Sequence, residues 1–478
     1  MEKQIIGRKP QIKSLEDALT SSKPEMVALI GRRRVGKTFL IRQVYENRID
    51  FELTGLQDGN TKAQLQNFQM AFSKYFPTIE LTEKPENWLA AFHQLSLALE
   101  KLPKIEKLVV FIDELPWLDA SKSDFIMALG WFWNSWASQK NVVLAICGSS
   151  ASWMIKKIIN DRGGLHNRVS KLIMLYPFTL SETEEYFKYR NINLNRSLIL
   201  QIYMVMGGIP MYLDQMKTGL SAMQNIQEIC FERDGYLKNE FERLLSSLFK
   251  NYHHHVNIIR ALATKNMGLT RSEIISLTKY SNGGMLTEIL DELEKSGFIM
   301  IQSGLGKRVK DSIYRLSDPY SLFYLTFIEP LGKNSVIEFT AMSDLPAWKT
   351  WCGYAFENVC FYHLKAIKKA LGIAGVGTRT GSFYAKATEK MTGTQIDLII
   401  DRNDQVMNLC EVKYSVNEYT VTKKDIENFE NKKRVLGYYS KTNKHIFTSL
   451  ITTNGVVNNA QRINYIDHVV VLDDLFDE

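Results

Sequence analysis

Residues 26–46 read MVALIGRRRVGKTFLIRQVYE, and this stretch decides the fold of the first part of the chain. The apolar run MVALI predicts a short buried strand, whereas FLIRQVYE is typical of a helix. Between them, GRRRVGKT at 31–38 matches the pattern G-x-x-x-x-G-K-[ST]. The order of strand, glycine-bounded loop and helix indicates a phosphate-binding loop.

The chemistry of such a loop predicts which residues bind a nucleotide. Backbone N–H groups of residues 31–38 surround the β-phosphate beside the positive end of the following helix. Lys37 reaches the β- and γ-phosphates, and the Thr38 hydroxyl is a ligand of Mg²⁺. The predicted cofactors are therefore ATP and Mg²⁺, and the predicted contacts are Gly31, Arg32, Arg33, Arg34, Val35, Gly36, Lys37, Thr38 and Phe39.

A second apolar run supplies the carboxylates that phosphoryl transfer needs. The run VVFIDE at 109–114 ends in Asp113, the predicted Mg²⁺ partner, and Glu114, the predicted base that directs the attacking water. A solvated strand end has the same appearance. The phosphate-binding loop upstream, at normal spacing, favours the catalytic interpretation.

Composition limits the classes of protein to which the chain can belong. A chain of 478 residues with 45% hydrophobic and 23% charged residues predicts several globular domains. The net charge of +7 permits contact with nucleic acid without requiring it. Five scattered cysteines without a CxxC pair argue against a disulfide framework or a zinc site. Without a signal-like start or a long apolar run, we expect a cytoplasmic protein with no membrane partner.

The pattern along the chain predicts an α/β protein of four parts. Strands alternate with helices over residues 1–180, which predicts a parallel P-loop sheet. Residues 181–250 predict a helical lid, whose first helix we place at a capping box formed by Ser181 and Glu184. Residues 251–330 contain three amphipathic helices and a two-stranded wing, the pattern of a winged helix. Residues 331–478 form a further α/β unit.

Four segments in this order resemble a known family: GRRRVGKT, VVFIDELPWL, AICGSS and GGIPMYL. The chain resembles the AAA+/STAND-type P-loop ATPases of the archaeal clade. In these the ATPase precedes a winged helix and a restriction-endonuclease-like domain. The resemblance covers essentially the whole chain and is most specific in its first 215 residues.

The resemblance implies further nucleotide contacts. The segment IIGRKPQIKSL looks like the N-terminal box near the adenine, with Gly7 and Arg8 as its defined positions. A surface turn is the alternative. Ser149, or its neighbour Ser150, resembles the sensor of the γ-phosphate.

It also implies residues that couple the nucleotide to other parts of the protein. Gly208 and Pro210 resemble the element that links nucleotide and lid, although a simple helix break explains them as well. Arg168 lies where the family often has an arginine that acts in trans or senses the nucleotide in cis. Arg162 is the nearby alternative, and either could be an ordinary surface arginine.

The predicted winged helix has an unusual charge pattern. Its recognition helix LTEILDELEKSG carries one lysine, Lys295, beside four acidic residues, Glu288, Asp291, Glu292 and Glu294. A helix that reads DNA bases usually presents basic or amide side chains, so direct base reading is disfavoured. The basic wing GLGKRVKD could contact phosphate.

The stretch QIDLIIDRNDQVMNLCEVKYS at 395–415 resembles the core of a PD-(D/E)xK nuclease. In that family an Asp and a Glu bind Mg²⁺ beside the scissile phosphate, and a lysine positions the water. The matching residues are Asp397, Glu411 and Lys413, and strand alternation places the last two on one face. Glu357, on the preceding helix, supplies a further metal carboxylate. The alternative is an ion-paired hairpin in a purely structural domain.

Two functions remain open from the sequence. The first is an ATP-hydrolysing AAA+/STAND-like ATPase coupled to a metal-dependent DNA nuclease or DNA-binding domain. The second is a nucleotide-dependent switch that recruits a protein partner, with a non-catalytic C-terminal domain. A transcription regulator is less favoured because of the acidic recognition helix. Self-association through the ATPase depends on whether Arg168 acts across a subunit boundary.

Overall fold

A computed structural model describes residues 4–79, 83–103, 106–302, 312–332, 338–342, 345–387, 389 and 392–477. Its contacts divide the chain into two compact units, Met1–Pro177 and Phe178–Glu478. None of the helices in the described ranges is long and apolar enough to span a lipid bilayer.

The first unit is a parallel sheet covered by helices. Its strands are β1 Glu25–Ile30, β2 Phe51–Thr54, β3 Leu108–Asp113, β4 Val142–Gly148 and β5 Lys171–Met174. Its helices are α1 Lys9–Thr20, α2 Lys37–Val44, α3 Thr61–Tyr75, α4 Trp88–Glu100, α5 Leu115–Leu118, α6 Phe125–Ser135 and α7 Ala151–Met154. A π-helical turn, Ile155–Ile159, follows α7.

The strand order β2-β3-β4-β1-β5 decides where the functional residues meet. All neighbouring strands are parallel, so their carboxyl ends lie at one edge. The predicted strands are almost fully buried because helices cover both faces. Loops that follow β1, β3 and β4 therefore lie side by side, as expected for a site at the carboxyl edge of an α/β sheet. The predicted fold class is confirmed.

An aromatic core holds α3, α4 and α6 against one face of this sheet. Its largest fully buried members are Phe51, Phe68, Phe72, Trp88, Phe92, Phe125 and Phe132. Burying each such side chain contributes about 1.5–3 kcal/mol before the entropy of ordering is subtracted. The tryptophan-bearing helix α6 is thus held by packing.

The second unit begins with helices. They are α8 Leu180–Tyr189, α9 Arg196–Met206, α10 Pro210–Leu213, α11 Ala222–Cys230, α12 Glu240–Leu248, α13 Tyr252–Ala263, α14 Arg271–Thr278 and α15 Gly284–Lys295.

The capping box of α8 is formed by Thr179 and Glu182, so the prediction of Ser181 as its cap is wrong by two residues. The chain contains two overlapping cap patterns. The earlier one is used because the free Leu180 N–H then reaches His363 Nε2 at 2.9 Å.

A small sheet accompanies α13–α15. Strands β6 Leu269–Thr270, β7 Ile299–Gln302 and β8 Ile313–Leu316 lie in the order β6-β8-β7, and the pairs are antiparallel. These elements occupy the region for which the sequence predicts a winged helix. The basic wing at 304–311 lies outside the described residues.

The C-terminal sheet contains the predicted nuclease-like segment. Helices α16 Pro319–Phe323, α17 Phe339–Met342, α18 Pro346–Tyr362 and α19 Leu364–Ala370 precede it. The sheet is built from β9 Thr378–Ala385, β10 Thr394–Arg402, β11 Val406–Lys413, β12 His445–Thr452 and β13 His468–Val471, with α20 Lys423–Ser440 and α21 Ala460–Tyr465. Strands β9, β10 and β11 are antiparallel, whereas β11, β12 and β13 are parallel.

Candidate functional site

The phosphate-binding loop joins β1 directly to α2. Arg34 and Gly36 have left-handed backbones, with φ of 72° and 91°. A Cβ on Gly31 would lie 2.4 Å from the Leu175 carbonyl oxygen, so only glycine fits there. Such left-handed positions are typical of a loop whose backbone N–H groups surround a phosphate.

Lys37 begins α2 and is buried beneath the loop. Its Nζ donates to the Arg32 carbonyl oxygen at 3.1 Å. Burial lowers the pKa of Lys37, and the carboxylates of Glu114 and Asp113 oppose this shift. A cation held in so enclosed a place interacts strongly with an anionic ligand.

Asp113, at the end of β3, lies against the first turn of α2. Its Oδ2 accepts a hydrogen bond from the Thr38 hydroxyl at 2.8 Å. Its Oδ1 accepts from the Cys147 thiol at 2.5 Å and from the Glu114 N–H at 2.8 Å. Burial raises the pKa of Cys147, which keeps it a neutral donor. Hydroxyl and carboxylate oxygens so placed are a donor set that suits Mg²⁺.

Glu114 lies at the carboxyl end of β3 in a left-handed conformation, with φ of 46°. Its Oε2 accepts hydrogen bonds from Ser149, at 2.8 Å from the hydroxyl and 3.2 Å from the backbone N–H. Ser149 follows β4, and Ser150 is the residue before α7. The structure thus joins Glu114 to Ser149, the first of the two predicted sensor residues.

The other predicted nucleotide contacts are spread around the loop. Arg33 places its guanidinium 5.2 Å from the ring centroid of Trp117. Gly7 and Arg8 both have left-handed backbones immediately before α1. Val35 is buried, and Phe39 is exposed on α2.

Arg168 and Arg162 both lie on an exposed loop between the π-helical turn and β5. The Arg168 N–H donates to the Leu165 carbonyl oxygen, and the Asp161 carboxylate accepts from the N–H of Leu165. These bonds stabilise the loop but do not distinguish the two arginines. The assignment of either one as a finger or sensor stays a prediction.

Gly208 and Pro210 lie in the second unit, at positions where the backbone restricts the choice of residue. The Gly208 carbonyl oxygen accepts from Phe178 N at 2.6 Å, and a Cβ on Gly208 would approach the Phe178 oxygen to 1.9 Å. Pro210 is the first residue of α10. The close backbone contact explains the glycine, and coupling to a nucleotide stays a prediction.

Asp397, Glu411 and Lys413 come together in the C-terminal sheet. Leu398 pairs with Cys410 across β10 and β11, so the next position brings Asp397 beside Glu411. A bulge between Ile396 and Ile399 interrupts the pairing with β9 there. Asp397 Oδ2 accepts from the N–H at position 412, at 3.1 Å.

The charged groups of this cluster contact one another. Lys413 Nζ lies 2.9 Å from Glu411 Oε1, and Lys432 of α20 pairs with the other oxygen of the same carboxylate. Burial raises the pKa of Asp397 to about 7, and Glu411 and Glu357 add to the rise. Burial opposes protonation of Lys413, but Glu411 raises its pKa above the ordinary value. A buried carboxyl group whose pKa is raised by burial and by neighbouring charges, as that of Asp397 is, is typical of a functional site.

Glu357 of α18 has a different partner. Its Oε2 lies 2.9 Å from Arg315 Nη2, and Arg315 comes from β8 in the small sheet. Among the described residues, no three His, Cys, Asp or Glu side chains are grouped closely enough to hold a metal ion. Asp397 and Glu411 are adjacent oxygen donors that suit Mg²⁺, but the structure presents Glu357 as a partner of Arg315.

We expect this buried ion pair to matter for stability. Removing Arg315 alone leaves Glu357 buried without its cation, so Arg315→Met should lower the free energy of unfolding by about 3–5 kcal/mol. Adding Glu357→Leu should restore most of the loss because both charges are then gone. Chemical denaturation monitored by circular dichroism measures both effects.

The matched control is Arg260→Met. Arg260 pairs with Glu329 at 2.8 Å, but their side chains are 42% and 33% exposed, against 4% and 11% for Arg315 and Glu357. Solvent screens the exposed pair, so its loss should cost about 1 kcal/mol or less. Equal losses for both arginine variants would contradict the special role of the buried pair.

Comparison with known proteins agrees with this geometry. Residues 6–216 match the model of a family described as an ATPase domain predominantly from Archaea. An uncharacterized protein of Methanocaldococcus jannaschii is 25% identical over 454 residues, which cover 92% of this chain and 96% of the relative. With its phosphate-binding loop, the first part of the chain is similar to these ATPase domains.

A solved structure supports the same fold. The Walker-type ATPase PABY2304 of Pyrococcus abyssi aligns with a TM-score of 0.50 at 19% identity, covering 67% of this chain and 96% of its own. The ORC2 protein of Aeropyrum pernix aligns at a TM-score of 0.40 and 15% identity, covering 72% and 98%. The first of these likenesses shows the fold alone.

Sequence reasoning missed several residues that the structure adds to these sites. Lys432 and Arg315 bind the predicted metal carboxylates, and Gln64 binds the turn that follows Glu114. Each lies far from its partner along the chain, in a segment without a motif. Only contacts across the fold could reveal them.

Proposed function

We propose that the chain hydrolyses ATP at its first unit and uses the nucleotide state to control a metal-dependent DNA nuclease in its C-terminal domain. The archaeal-type ATPase domain supports the first half. The observation that carries the second is the adjacent placement of Asp397 and Glu411, with Lys413 bound to Glu411.

In the ATPase site each residue has a separate task. Lys37 binds the β- and γ-phosphates and neutralises charge that develops there. Thr38 and Asp113 hold Mg²⁺, which when bound stabilises the negative charge of the phosphates. Glu114 accepts the proton of the attacking water, and Ser149 holds its carboxylate in place.

Further residues contact the nucleotide or couple it to other parts of the chain. Gly7 and Arg8 border the adenine, Ser149 senses the γ-phosphate, and Pro210 with Gly208 links the nucleotide to the helical lid. Arg168 completes the site of a second copy or its own. The proposed division of the chain is 1–180, 181–250, 251–330 and 331–478, with a winged helix as the third part.

In the proposed nuclease site, Asp397 and Glu411 hold Mg²⁺ through oxygen ligands. The metal, when bound, activates a water and stabilises charge at the phosphate. Lys413 orients the water and balances the charge that develops during cleavage. Glu357 contributes its carboxylate once Arg315 has released it.

One observation favours a second function. Glu411 is held by two lysines and Glu357 by an arginine, so these acids already have internal cations. An ion-paired platform of this kind fits a switch that recruits a protein partner without cutting DNA. The two functions differ in whether this cluster hydrolyses a phosphodiester bond of DNA.

A nuclease panel distinguishes them. Linear, branched and single-stranded DNA are incubated with the full chain and Mg²⁺, with and without ATP, and ATP hydrolysis is followed in parallel. We expect ATP turnover and Mg²⁺-dependent cleavage that changes with ATP. An active ATPase that leaves every DNA intact would support the switch instead.

A further inference from the structure

The turn that carries Glu114 needs support from outside itself. The left-handed Glu114 leads into the short helix α5, where the Trp117 N–H donates to the Glu114 carbonyl oxygen at 2.9 Å. A four-residue helix has little stability of its own. The position of the Glu114 carboxylate therefore depends on what packs against residues 115–118.

Gln64, on the first turns of α3, binds this turn. Its side chain is fully buried, and its Nε2 donates to the Trp117 carbonyl oxygen at 3.0 Å. The same amide donates to the Leu56 oxygen at 2.7 Å, and its Oε1 accepts from the Leu56 N–H at 3.0 Å. One buried amide thus joins the loop after β2 to the turn after Glu114.

The neighbouring backbone leaves this turn little space to move. A Cβ on Gly55 would lie 2.7 Å from the Glu114 carbonyl oxygen, and one on Gly148 would lie 2.7 Å from Pro116 Cδ. On another side, the Arg33 guanidinium of the phosphate-binding loop lies over the Trp117 ring. The turn is packed closely, and Gln64 donates a buried side-chain hydrogen bond to it.

We propose that Gln64 is a positioning residue of the ATPase, which acts through Trp117 to hold Glu114 where it can accept the proton of the attacking water. This inference rests on the proposed ATP hydrolysis. Gln64 is not proposed to contact the nucleotide. Because a misplacement of about 1 Å can cost about 100-fold in rate, losing its hydrogen bond should lower turnover more than binding.

The test replaces Gln64 by methionine, which has a similar volume and cannot form these hydrogen bonds. We expect kcat for ATP to fall at least about 10-fold, while the Kd for a fluorescent ATP analogue changes less than about 3-fold. The matched control is Asn67→Ala. Asn67 lies one turn along α3 and binds the Thr54 carbonyl oxygen instead, so its kcat should stay near that of the wild type.

A double variant separates positioning from a general structural effect. If Gln64 acts through Glu114, adding Gln64→Met to Glu114→Gln should lower kcat no further. Should Gln64→Met fail to fold, Gln64→Asn keeps a buried amide one methylene short of Trp117 and is expected to show the same loss in kcat.

The outcomes separate this inference from the proposed function. A wild type without ATP turnover would overturn both. An active wild type, with Gln64→Met matching Asn67→Ala in kcat, would overturn the positioning role alone. An equal loss of kcat and nucleotide affinity, or a full additive loss in the double variant, would also overturn it.

Discussion

Replacing Lys37 with methionine is expected to lower ATP turnover roughly 1,000-fold or more and to abolish tight ATP binding. The ammonium is buried under the phosphate-binding loop, so no other cation can take its place easily. Burial also lowers its pKa, because desolvation disfavours the charged form. Methionine removes the charge but keeps the volume, so we expect the melting temperature to be unchanged or higher.

Release of phosphate and binding of a fluorescent ATP analogue measure this effect. Lys62→Ala is the control, because Lys62 is an exposed lysine of the same unit on α3. Its variant should hydrolyse ATP like the wild type. Retained turnover in Lys37→Met would refute the assignment of residues 31–38 as the nucleotide site.

Replacing Asp397 with asparagine is expected to remove Mg²⁺-dependent DNA cleavage by more than about 100-fold. Loss of an outer partner of a metal ligand commonly costs about 10- to 100-fold, so loss of a ligand should cost more. Lys413→Ala should have a similar effect on cleavage. ATP turnover should persist in both variants, since neither residue is a predicted nucleotide contact.

The control for this experiment is Asp404→Asn. Asp404 lies in the turn between β10 and β11, where it pairs with Arg402 at the surface. It is on the same hairpin but outside the cluster, so cleavage should be unchanged. If Asp397→Asn and Lys413→Ala cut DNA as fast as Asp404→Asn, the proposed nuclease site would be wrong.

Much of the fold could be predicted because its signals are local. The strand, loop and helix at 26–46 follow one another in the structure as β1, the phosphate-binding loop and α2. The strand ending in Asp113 and the pair of strands around Asp397 and Glu411 also lie in the predicted places. Apolar periodicity predicts such elements because burial of one face or of a whole strand dictates residue type.

The boundaries of helices and the hydrogen-bond partners of their ends are harder to predict. The sequence predicts Ser181 as the cap of α8 instead of Thr179, because both positions fit the same short pattern. The choice depended on a hydrogen bond from Leu180 to His363, 183 residues away. Local propensity cannot distinguish two caps when a distant partner selects between them.

The sequence by itself determined the phosphate-binding loop and the α/β class, because eight consecutive residues and the periodicity of short segments encode them. Only the tertiary structure decided which side chains support the two sites. Gln64 meets Trp117 across 53 residues, and Arg315 meets Glu357 across 42. These pairs form because the packed fold buries polar groups, and a buried polar group needs a hydrogen-bond partner. The order of residues along the chain does not indicate which distant residue that partner will be.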